Sequence, residues 1–548
     1  MTTPTRRSSF LGVLDRFGSI YTIAGLFVLA VTAFLYVFGS WSLSPKADLT
    51  ICNGDEPQSL DPAIVTGQLE GRLCLALFEG LTTRNAKGEV IPGMAESWTL
   101  SPDGKTYVFK LRPGIKWSNG EPITSADFLN SWERTMNPKT ASQYAYQLDY
   151  LVNGEAYRTG KLKDFTQVGV KAPDPQTVVV TLNNPTAFFL ELAAFQPLVP
   201  VHLETVKKYG YSWVKPGHIV TNGPYLLKEW RLNDYILVEA NPNYWRPVPI
   251  KRIKVLPTQN ANTCFNLFFS GKTDLIIDKS SIPSTLVASI RDKPYFHANP
   301  FGATSYMRFN VKRKPFDDVR IRKALALAVD KQDIVEKITR AGEPVADTLV
   351  PPGNPDYKPP KGLGYNPEEA RRLLAEAGFP GGKGFPDVDL LYTTKGVAEK
   401  VATEIQALWK RDLGITSIRL RGQEWKVYLN TQSLMDFDLS LSSWVGDYSD
   451  PQTFIDMFVT DGGNNLTGWS NASYDQMLSV SQATPDVAQR MAIFQGMEKT
   501  LVVDEVPIIP IYFYVGMSLY YPDKLGGFEP NFVDDHRWGE FFIPGKKK

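Results

Sequence analysis

A carboxylate set among aromatic residues is the first feature of this sequence that could do chemistry. In the stretch SSWVGDYSDP, residues 442–451, Asp447 follows an apolar segment and lies between Trp444 and Tyr448. A surface acid needs no aromatic neighbours, and a core position rarely tolerates an unpaired charge. Asp447 therefore either caps a turn or pairs with a cation that is not part of this chain. Asp450 is the better turn acid, because a proline follows it.

Sequence signatures of catalysis and of metal binding are missing elsewhere. The four histidines do not pair at helical spacing, which leaves a helix-borne metal site unsupported. The sequence has no CxxC and no GxSxG, and GFPGGKGF at 378–385 lacks the spacing of a phosphate loop. We expect no catalytic residue, no metal and no cofactor. An enzyme stays open, since catalytic carboxylates leave no spacing signature.

The elements around Asp447 predict an α/β lobe. NPEE at 366–369 is typical of a capped helix start. DVDLLYTT, VAEKVATEIQALWKRDLG and ITSIRLRGQ then read as strand, helix and strand, an order that implies a parallel pair. FDLSLSSWV predicts a strand with Phe437, Leu439 and Leu441 facing inward against polar partners. Asp447 would then follow the carboxyl end of a strand, where open α/β sheets bind ligands.

Length and composition indicate a folded protein of two or three lobes. A single core stops growing at about 250–300 residues, and this chain has 548. Lys+Arg is 59 and Asp+Glu is 58, so no net charge draws the chain to nucleic acid. Upstream, strands are predicted for ADLTICNG, QTVVVTLN, YILVEANPNYW and RIKVLPT, and helices for GRLCLALFEGL and DVRIRKALALAVDKQDIVEKI.

An uncharged apolar run from Ile20 to Phe38 predicts a membrane segment. About 20 apolar residues span a bilayer, whereas a cleaved signal has an apolar region of roughly 7–15. Arginines precede the run, so the N-terminus is expected in the cytoplasm and the body outside. A cleaved signal stays open. The predicted segments are a cytoplasmic N-terminus at 1–16, an anchor or uncleaved signal at 17–40 and a linker at 41–48.

The three cysteines leave one possible bridge. Cys52 and Cys74 are close in sequence, and an oxidising compartment would allow them to pair. The periodicity puts the first on a strand and the second on a helix, so buried free thiols are favoured for these two and for Cys264.

Several fragments, taken in order, carry a resemblance to a known family. They are EPQSLDP (56–62), LFEGL (77–81), PGMAESW (92–98), KWSNGEPITSADFLNSWER (116–134), TNGPYLLKEW (221–230), NPNYW (241–245), KPFDDVRIRKALALAVD (314–330) and LLAEAGF (373–379). From about Leu49 to Ile543 the chain resembles the extracytoplasmic oligopeptide-binding proteins of bacterial ABC importers, in solute-binding protein family 5. Each fragment alone also fits a structural role, but all of them in one order are highly specific.

The resemblance implies an α/β, three-lobe periplasmic binding protein-like fold (type II, cluster C), here preceded by one transmembrane helix. Ligand would be enclosed between two hinged lobes, I and III, when they close. The implied boundaries are 49–78, 203–302 and 514–548 for lobe I, 79–202 for lobe II and 303–513 for lobe III.

The resemblance also implies a ligand site. Asp447 would pair with the α-ammonium of a peptide, and main-chain edges on two lobes would bind its backbone. Gly67 is equally well an ordinary loop glycine, and both tyrosines of this site are equally well core residues. The implied ligand-binding residues are Asp447, Trp444, Ser443, Thr66, Gly67, Gln68, Tyr144, Tyr306 and Arg313.

The chain departs from the family at the other end of the ligand. Relatives hold the peptide carboxylate with cations of lobe III, whereas the aligned residues here are Gln432, Leu441 and Ala398. Arg313 aligns with a lysine and is the one cation kept. The cysteines that often bridge lobe III are absent, since Ala303 and Val445 align with them. We therefore expect a receptor that binds the amino end firmly and the carboxyl end loosely, and that accepts modified wall peptides.

The function implied is a membrane-anchored receptor, with its body in the periplasm, that delivers oligopeptides to an inner-membrane ABC permease. We expect a monomer that performs no chemistry. The alternatives are the same fold binding a metal chelate, sugar or opine, or a membrane-tethered ligand sensor. Ligands of the first kind often lack an α-ammonium, so Asp447 argues against them.

Overall fold

The computed structural model describes residues 46–353 and 356–545, together with Val28, Leu29 and Thr32. The strands are β1 (Leu49–Cys52), β2 (Thr82–Arg84), β3 (Val90–Pro92), β4 (Ala95–Leu100), β5 (Thr106–Leu111), β6 (Val170–Asp174), β7 (Thr177–Thr181), β8 (Tyr225–Arg231), β9 (Tyr235–Ala240), β10 (Arg252–Leu256), β11 (Leu275–Ile276), β12 (Phe296–Phe309), β13 (Val388–Thr393), β14 (Ile418–Gln423), β15 (Leu439–Val445) and β16 (Ile508–Leu519). The α-helices are Gln68–Leu77, Ser125–Met136, Gly154–Arg158, Phe189–Leu192, Leu203–Tyr209, Ala261–Phe269, Ser284–Ile290, Val319–Leu327, Lys331–Ile334, Pro367–Glu376, Ala398–Leu413, Trp425–Ser433, Gln452–Ile455, Ala472–Ala483 and Val487–Lys499.

The predicted membrane segment at 17–40 lies outside the described residues, except for Val28, Leu29 and Thr32, which are helical. The predicted N-terminus at 1–16 and most of the linker at 41–48 lie outside them as well. In the part of the chain that is described, no helix has both the length and the apolar character needed to cross a bilayer.

Two long strands form the middle of a ten-stranded sheet. The strand order is β14-β13-β15-β12-β16-β11-β1-β10-β9-β8, and β12 and β16 are antiparallel neighbours. Their pairing runs from Phe296 opposite Leu519 to Arg308 opposite Ile508, with register shifts between Pro300 and Thr304 and between Ser305 and Tyr306. The two halves of the sheet therefore share these strands.

A separate antiparallel sheet has the order β4-β5-β7-β6. Its aromatic residues, such as Phe109, belong to the same apolar core as the helix Gln68–Leu77 and strand β9 of the large sheet. A second core lies around β13, β14 and the helices beside them. The chain thus has an α/β architecture with more than one core, as its length predicts.

The strand–helix–strand unit near residue 400 confirms its prediction. Asn366 accepts a hydrogen bond from the Glu369 amide at 3.2 Å, and Pro367 is the first residue of the helix that follows. Strand β13, the helix Ala398–Leu413 and β14 come in the expected order, and the two strands are parallel. Strand β15 joins β13 on its other side, which brings the end of β15 to the same edge.

The predicted single helix after residue 316 is wrong. The structure has two helices, Val319–Leu327 and Lys331–Ile334. The break occurs because the Asp330 side chain accepts from the Asp333 amide at 3.2 Å and so begins a new helix.

The predicted alternation along β15 is also wrong. Leu439 and Leu441 are buried as expected, but Ser440 and Ser442 are buried too. The reason is that the helix Trp425–Ser433 covers the face on which the serines lie, with Tyr428 beside Ser442 and Gln432 beside both. Gln432 Nε2 donates to both serine hydroxyls, at 2.7 and 2.6 Å, which satisfies them in this position.

The three cysteines are buried free thiols, which is the state that the sequence favours. Cys52 lies on β1, Cys74 lies on the helix Gln68–Leu77, and both are buried free thiols, as is Cys264. No bridge between Cys52 and Cys74 is formed.

Candidate functional site

A cavity of about 350 Å³ lies beside the two central strands. Its wall combines parts of the chain that are far apart in sequence: the turn at 66–68, the segment at 277–284, strand β15 with the loop after it, and the segment at 528–537. Asp447, Trp444 and Ser443 belong to this wall. The end of β15 therefore opens on a ligand-sized space.

Asp447 is a buried carboxylate with no internal counter-ion. Its side chain is 8% exposed, and its Oδ2 accepts from Gln147 Nε2 at 3.1 Å. Arg84 is close, but it donates to the main-chain oxygen of Asp447, at 3.2 Å, rather than to the carboxylate. Within the part of the chain that is described, no lysine or arginine nitrogen lies within 4.0 Å of the Asp447 carboxylate.

The electrostatics of Asp447 follow from this isolation. Burial, and next the charge of Asp456, raise the pKa of Asp447 well above its ordinary value. A hydrogen bond with Tyr144, the charge of Arg84 and the Gln147 amide act against that rise. A cation placed beside Asp447 would favour the charged form of its carboxyl and so lower this raised pKa.

A second buried acid lies close behind it. The Asp456 carboxylate accepts from the hydroxyls of Tyr150 and Tyr448, both at 2.9 Å. Burial raises the pKa of Asp456 to about 7, and the two tyrosine hydrogen bonds oppose that rise. Asp456 is not part of the cavity wall, so its role here is to support the Tyr448 and Tyr150 rings behind Asp447.

Strand β15 presents a main-chain edge to the cavity. Its pairing with β13 covers only Leu439 and Ser440, whereas its pairing with β12 continues to Val445. On the edge away from β12, the Leu441 carbonyl accepts from Tyr428 Oη at 2.6 Å. The main-chain groups of Ser443, two residues on, point to that same edge, which an extended ligand could pair with.

A family model matches residues 89–465 of this chain, and its description is "Bacterial extracellular solute-binding proteins, family 5 Middle". The chain belongs to family 5 of the bacterial extracellular solute-binding proteins. Its periplasmic-binding-protein-like α/β fold is shared with solved structures of such proteins.

Three relatives illustrate the similarity of this family 5 protein. The periplasmic oligopeptide-binding protein OppA of Escherichia coli is 35% identical over 499 residues, which cover 89% of this chain and 90% of the relative. The structure of Haemophilus influenzae OppA in complex with the peptide RPPGFSPFR has a TM-score of 0.85 at 30% identity, covering 92% and 100% of the two chains. The third relative is the murein tripeptide-binding protein MppA of Escherichia coli, for which two structures are informative.

The two MppA structures differ in how well they match. One has a TM-score of 0.86 and covers 91% of this chain and 99% of MppA. The other, described as an unliganded open form, has a TM-score of only 0.60 at the same 31% identity, with coverage of 91% and 98%. Since the sequence is shared, the difference is one of conformation. The family 5 protein described here has the arrangement of the first structure and not that of the open form.

The turn at 66–68 forms the wall across the cavity from β15. Thr66, Gly67 and Gln68 all line it. Gly67 has an ordinary extended conformation, so no left-handed backbone requires glycine there. A Cβ at this position would lie 2.0 Å from Glu70 Oε2 and 2.9 Å from the Trp425 ring, so glycine is needed for a close approach. Gln68 Nε2 donates to Asp534 at 2.8 Å and is already engaged within the chain.

The two predicted tyrosines have different places. Tyr144 lines the cavity, and its ring lies 6.0 Å from that of Trp444 and 5.0 Å from that of Phe195. Tyr306 is fully buried and is not part of the wall, and its hydroxyl faces Met457 sulfur at 3.7 Å. Tyr144 therefore is both a core and a cavity residue, whereas Tyr306 is a core residue.

Arg313 does not reach the cavity. Its side chain is 41% exposed and pairs with Asp436 at 3.1 Å and Asp438 at 3.2 Å, on the surface of the unit around β13. Arg313 was predicted to be the cation kept at the ligand site, but its side chain lies away from the cavity. Gln432, Leu441 and Ala398, the neutral residues at the other aligned positions, do line the cavity.

Sequence reasoning missed several polar residues that lie in the cavity wall or directly behind it. Gln147, which bonds the Asp447 carboxylate, is 300 residues away from it in sequence, and Arg84 is 363 residues away. The cavity also contains Lys279 and Arg308. No local pattern marks any of them, because each is brought to the cavity by the packing of distant elements.

Proposed function

We propose that this protein is an extracytoplasmic receptor that binds oligopeptides and delivers them to an ABC permease. The observation that carries the proposal is the buried Asp447 carboxylate, which lines the cavity without an internal cation. Such a group is costly to bury alone, and the free amine that begins a peptide is the complementary charge. Exclusion of water strengthens this attraction.

Two further observations support a peptide as the ligand. The free main-chain edge at Ser443 can add an extended chain as a strand, which gives affinity with little regard to side-chain sequence. OppA of Haemophilus influenzae, which has the same fold, was solved with a peptide bound. We infer from these that Asp447, Trp444 and Ser443 bind the ligand from one wall and that Thr66, Gly67 and Gln68 bind it from the other.

Calorimetry with trialanine tests the proposal. We expect the Asp447→Asn variant to lose affinity on the order of 10²–10³-fold, since removing one partner of a buried ion pair costs about 3–5 kcal/mol. N-acetyl-trialanine, which has no α-ammonium, should bind the wild-type protein as weakly as trialanine binds the variant. Unchanged binding of trialanine by Asp447→Asn would refute the proposed role of this acid.

The matched control is Asp456→Asn. Asp456 is an equally buried acid next to the site, but it is not part of the cavity wall. We expect this variant to retain trialanine binding within about threefold. A loss as large as that of Asp447→Asn would mean that the effect comes from disturbed packing and not from the ion pair.

The wider organisation is also a proposal. We infer three lobes with the boundaries 49–78, 203–302 and 514–548 for I, 79–202 for II and 303–513 for III, with β12 and β16 as the hinge strands. The segment at 17–40 would hold a monomeric body at the periplasmic side of the inner membrane, beside the permease. Mass spectrometry of the purified protein tests the anchor, since a cleaved signal would remove these residues from the mature chain.

The competing ligand class is a solute without a free amine, such as a metal chelate, a sugar or an opine. The relative MppA is described as a murein tripeptide-binding protein, which favours a peptide as the ligand. Mass spectrometry of molecules that co-purify with the protein separates the two classes. A co-purifying solute without an amine, bound more tightly than trialanine, would contradict our proposal.

A further inference from the structure

Arg308 is a buried cation in the cavity wall that has no acidic partner. It lies on β12, it is 4% exposed, and it is part of the wall. Its Nε and Nη2 both donate to one neutral group, Tyr306 Oη, at 3.2 and 2.7 Å. Among the described residues, no carboxylate oxygen lies within 4.0 Å of its guanidinium. A guanidinium has five N–H donors, so most of its capacity is directed elsewhere.

The other arginines of the wall are different. Arg72 pairs with Asp534 at 3.1 Å, Arg84 with Glu191 at 3.1 Å, and Arg537 with Asp535 at 2.8 Å. Each of these cations is neutralised by the chain itself. A buried charge is costly unless it is paired, so an arginine left unpaired beside a cavity indicates that the missing anion belongs to the ligand.

The surroundings of Arg308 suit a carboxylate. Arg308 lies on β12 two residues after Tyr306, so the two side chains point to the same face of the strand, and the pairing of β12 with β15 is unbroken from Ala303 to Phe309. Its neighbours across the sheet are Ser440 and, beyond it, Gln432. The charge of Arg308 also acts on Tyr428, whose pKa is raised by burial and lowered in part by the Ser442 hydroxyl and this guanidinium. All of these neighbours are neutral.

The distance from Asp447 matches a short peptide. Arg308 stands opposite Ser440 at the start of β15, and Asp447 follows the other end of that strand at Val445. The five residue steps from Ser440 to Val445 span about 17 Å, and Asp447 lies two residues further on. The arginine side chain leans back toward Tyr306, which is opposite Ser442, so the two displacements roughly offset and leave a separation on the order of 17 Å. An extended peptide of about four or five residues has this length. The cavity thus has an acid at one end and a base at the other.

We infer that Arg308 binds a carboxylate of the ligand, which is either the C-terminal carboxylate of a peptide of about four or five residues or the side chain of an acidic residue. The inference rests on the proposed function, because it assumes that Asp447 binds the amino end. It replaces the expectation of a loosely held carboxyl end, which considered only Gln432, Leu441, Ala398 and Arg313.

Calorimetry with two sets of peptides tests the inference. It also distinguishes the C-terminal carboxylate from an acidic side chain as the group that Arg308 binds. The first set is tri-, tetra-, penta- and hexa-alanine, each as the free acid and as the C-terminal amide. The second set is penta-alanine amide with a single glutamate or glutamine at each position in turn. Both sets are measured on wild type, Arg308→Gln and Arg313→Gln. The last variant is the matched control, since it removes the same charge from the same unit at an exposed, paired position.

We expect amidation to weaken wild-type binding at least tenfold at one chain length, and Arg308→Gln to abolish this difference while Arg313→Gln retains it. If the acidic side chain is the source, glutamate peptides will bind at least tenfold more tightly than their glutamine partners, again only when Arg308 is present. The inference is overturned if the wild type shows no carboxylate preference in either set, or if Arg308→Gln shows the same preference as the wild type.

Arg308→Lys provides a second variant if Arg308→Gln does not fold. Lysine keeps the charge but cannot form two parallel hydrogen bonds with a carboxylate. The preference for peptides with a free carboxylate should therefore become smaller without disappearing. An undiminished preference in a folded Arg308→Lys variant would contradict a paired contact with Arg308. Failure of the proposed function has a different result, because the wild type would then bind none of the free peptides.

Discussion

Two buried carboxylates line the same cavity and have opposite surroundings. Asp278 is 6% exposed and Asp447 is 8% exposed, so both are withdrawn from water. Asp278 has two cations beside it, Lys395 at 2.9 Å and Arg72 at 3.6 Å, whereas Asp447 has none within 4.0 Å in the described part of the chain. Although burial opposes it, the charges of Lys395 and Arg72 hold the pKa of Asp278 below its usual range, while burial raises that of Asp447.

The difference teaches how to tell a structural acid from one that binds a ligand. Asp278 follows β11 and Lys395 follows β13, so their ion pair joins the two halves of the large sheet across the cavity. This pair is complete without ligand and stabilises the arrangement of the two halves. Asp447 contributes no such pair, and its missing partner must come from outside the chain. The pairing of an acid, more than its burial, therefore distinguishes the two roles.

The largest effect that this comparison predicts is on stability. Asp278→Asn removes the anion that Lys395 and Arg72 share. Arg72 keeps Asp534 at 3.1 Å, but Lys395 is left largely buried without a carboxylate among the described residues, which should lower the free energy of unfolding by about 3–5 kcal/mol. Urea unfolding followed by circular dichroism measures the change. Asp447→Asn, which removes a charge that has no partner, should leave the free energy of unfolding equal to or above that of the wild type. Equal losses in the two variants would break the distinction between the acids.

A second prediction concerns the pH dependence of stability and the acid behind Asp447. The pKa of Asp456 is raised to about 7, so between about pH 4 and pH 7 the folded protein holds a proton that the unfolded chain has released. The stability of the unliganded protein should therefore fall as pH rises through this range and level off above it. From pH 5 to pH 8 we expect the wild type to lose a few kcal/mol more than Asp456→Asn, by order of magnitude.

Urea unfolding of both proteins at pH 5 and pH 8 provides the measurement. Glu498, whose pKa burial also raises to about 7, is present in both proteins and cancels from the difference. If both proteins lose the same stability over this range, the buried carboxyl of Asp456 is not the group that titrates.

The comparison also shows what the sequence could predict. The unit of β13, its helix and β14 was predictable because each signal is local: an asparagine cap, a helical apolar face, and two strand patterns in order. The position of Asp447 after β15 was predictable for the same reason. The serines of β15 were assigned to the solvent face wrongly, because the helix Trp425–Ser433 covers that face and nothing in the strand's own residues indicates it.

The charges of the site could be predicted only in part. An acid between aromatic residues is visible in sequence, but the absence of a counter-ion is not, because Arg84 could have paired with it and instead bonds its main-chain oxygen. Arg313 and Arg308 are five positions apart in the sequence. No feature of the sequence around them indicates that Arg313 is exposed and paired and that Arg308 is buried. Arg308 lies on β12 and lines the cavity, whereas Arg313 follows the end of that strand, and no local pattern indicates this difference.

A third prediction is the pH dependence of peptide affinity. The α-ammonium attracts the ionised form of Asp447, and the raised pKa means that acid neutralises this group easily. Trialanine affinity should fall as the pH is lowered, by up to about tenfold per pH unit below the raised pKa of Asp447 in the free protein. Calorimetry at several pH values measures this, and the weak binding of N-acetyl-trialanine should stay nearly constant. An affinity for trialanine that is equally constant would mean that Asp447 does not titrate in the free protein.

The smallest predicted effect concerns a third kind of acid, the exposed one. Asp436 is 58% exposed and pairs with Arg313, which is 41% exposed, so water already solvates both charges. The second partner of Arg313, Asp438, is 19% exposed, but it also accepts from the Asp389 amide at 2.9 Å and so keeps a hydrogen-bond donor when the arginine is removed. Exposed ion pairs contribute about 0–1 kcal/mol, because the Coulomb attraction is screened and two long side chains lose freedom. Arg313→Gln should therefore change the free energy of unfolding by less than about 1 kcal/mol, and high salt should remove the difference. Urea unfolding at low and high salt measures both quantities. If Arg313→Gln lowers the free energy of unfolding as much as Asp278→Asn does, then ion pairing stabilises the protein equally whether or not the pair is buried.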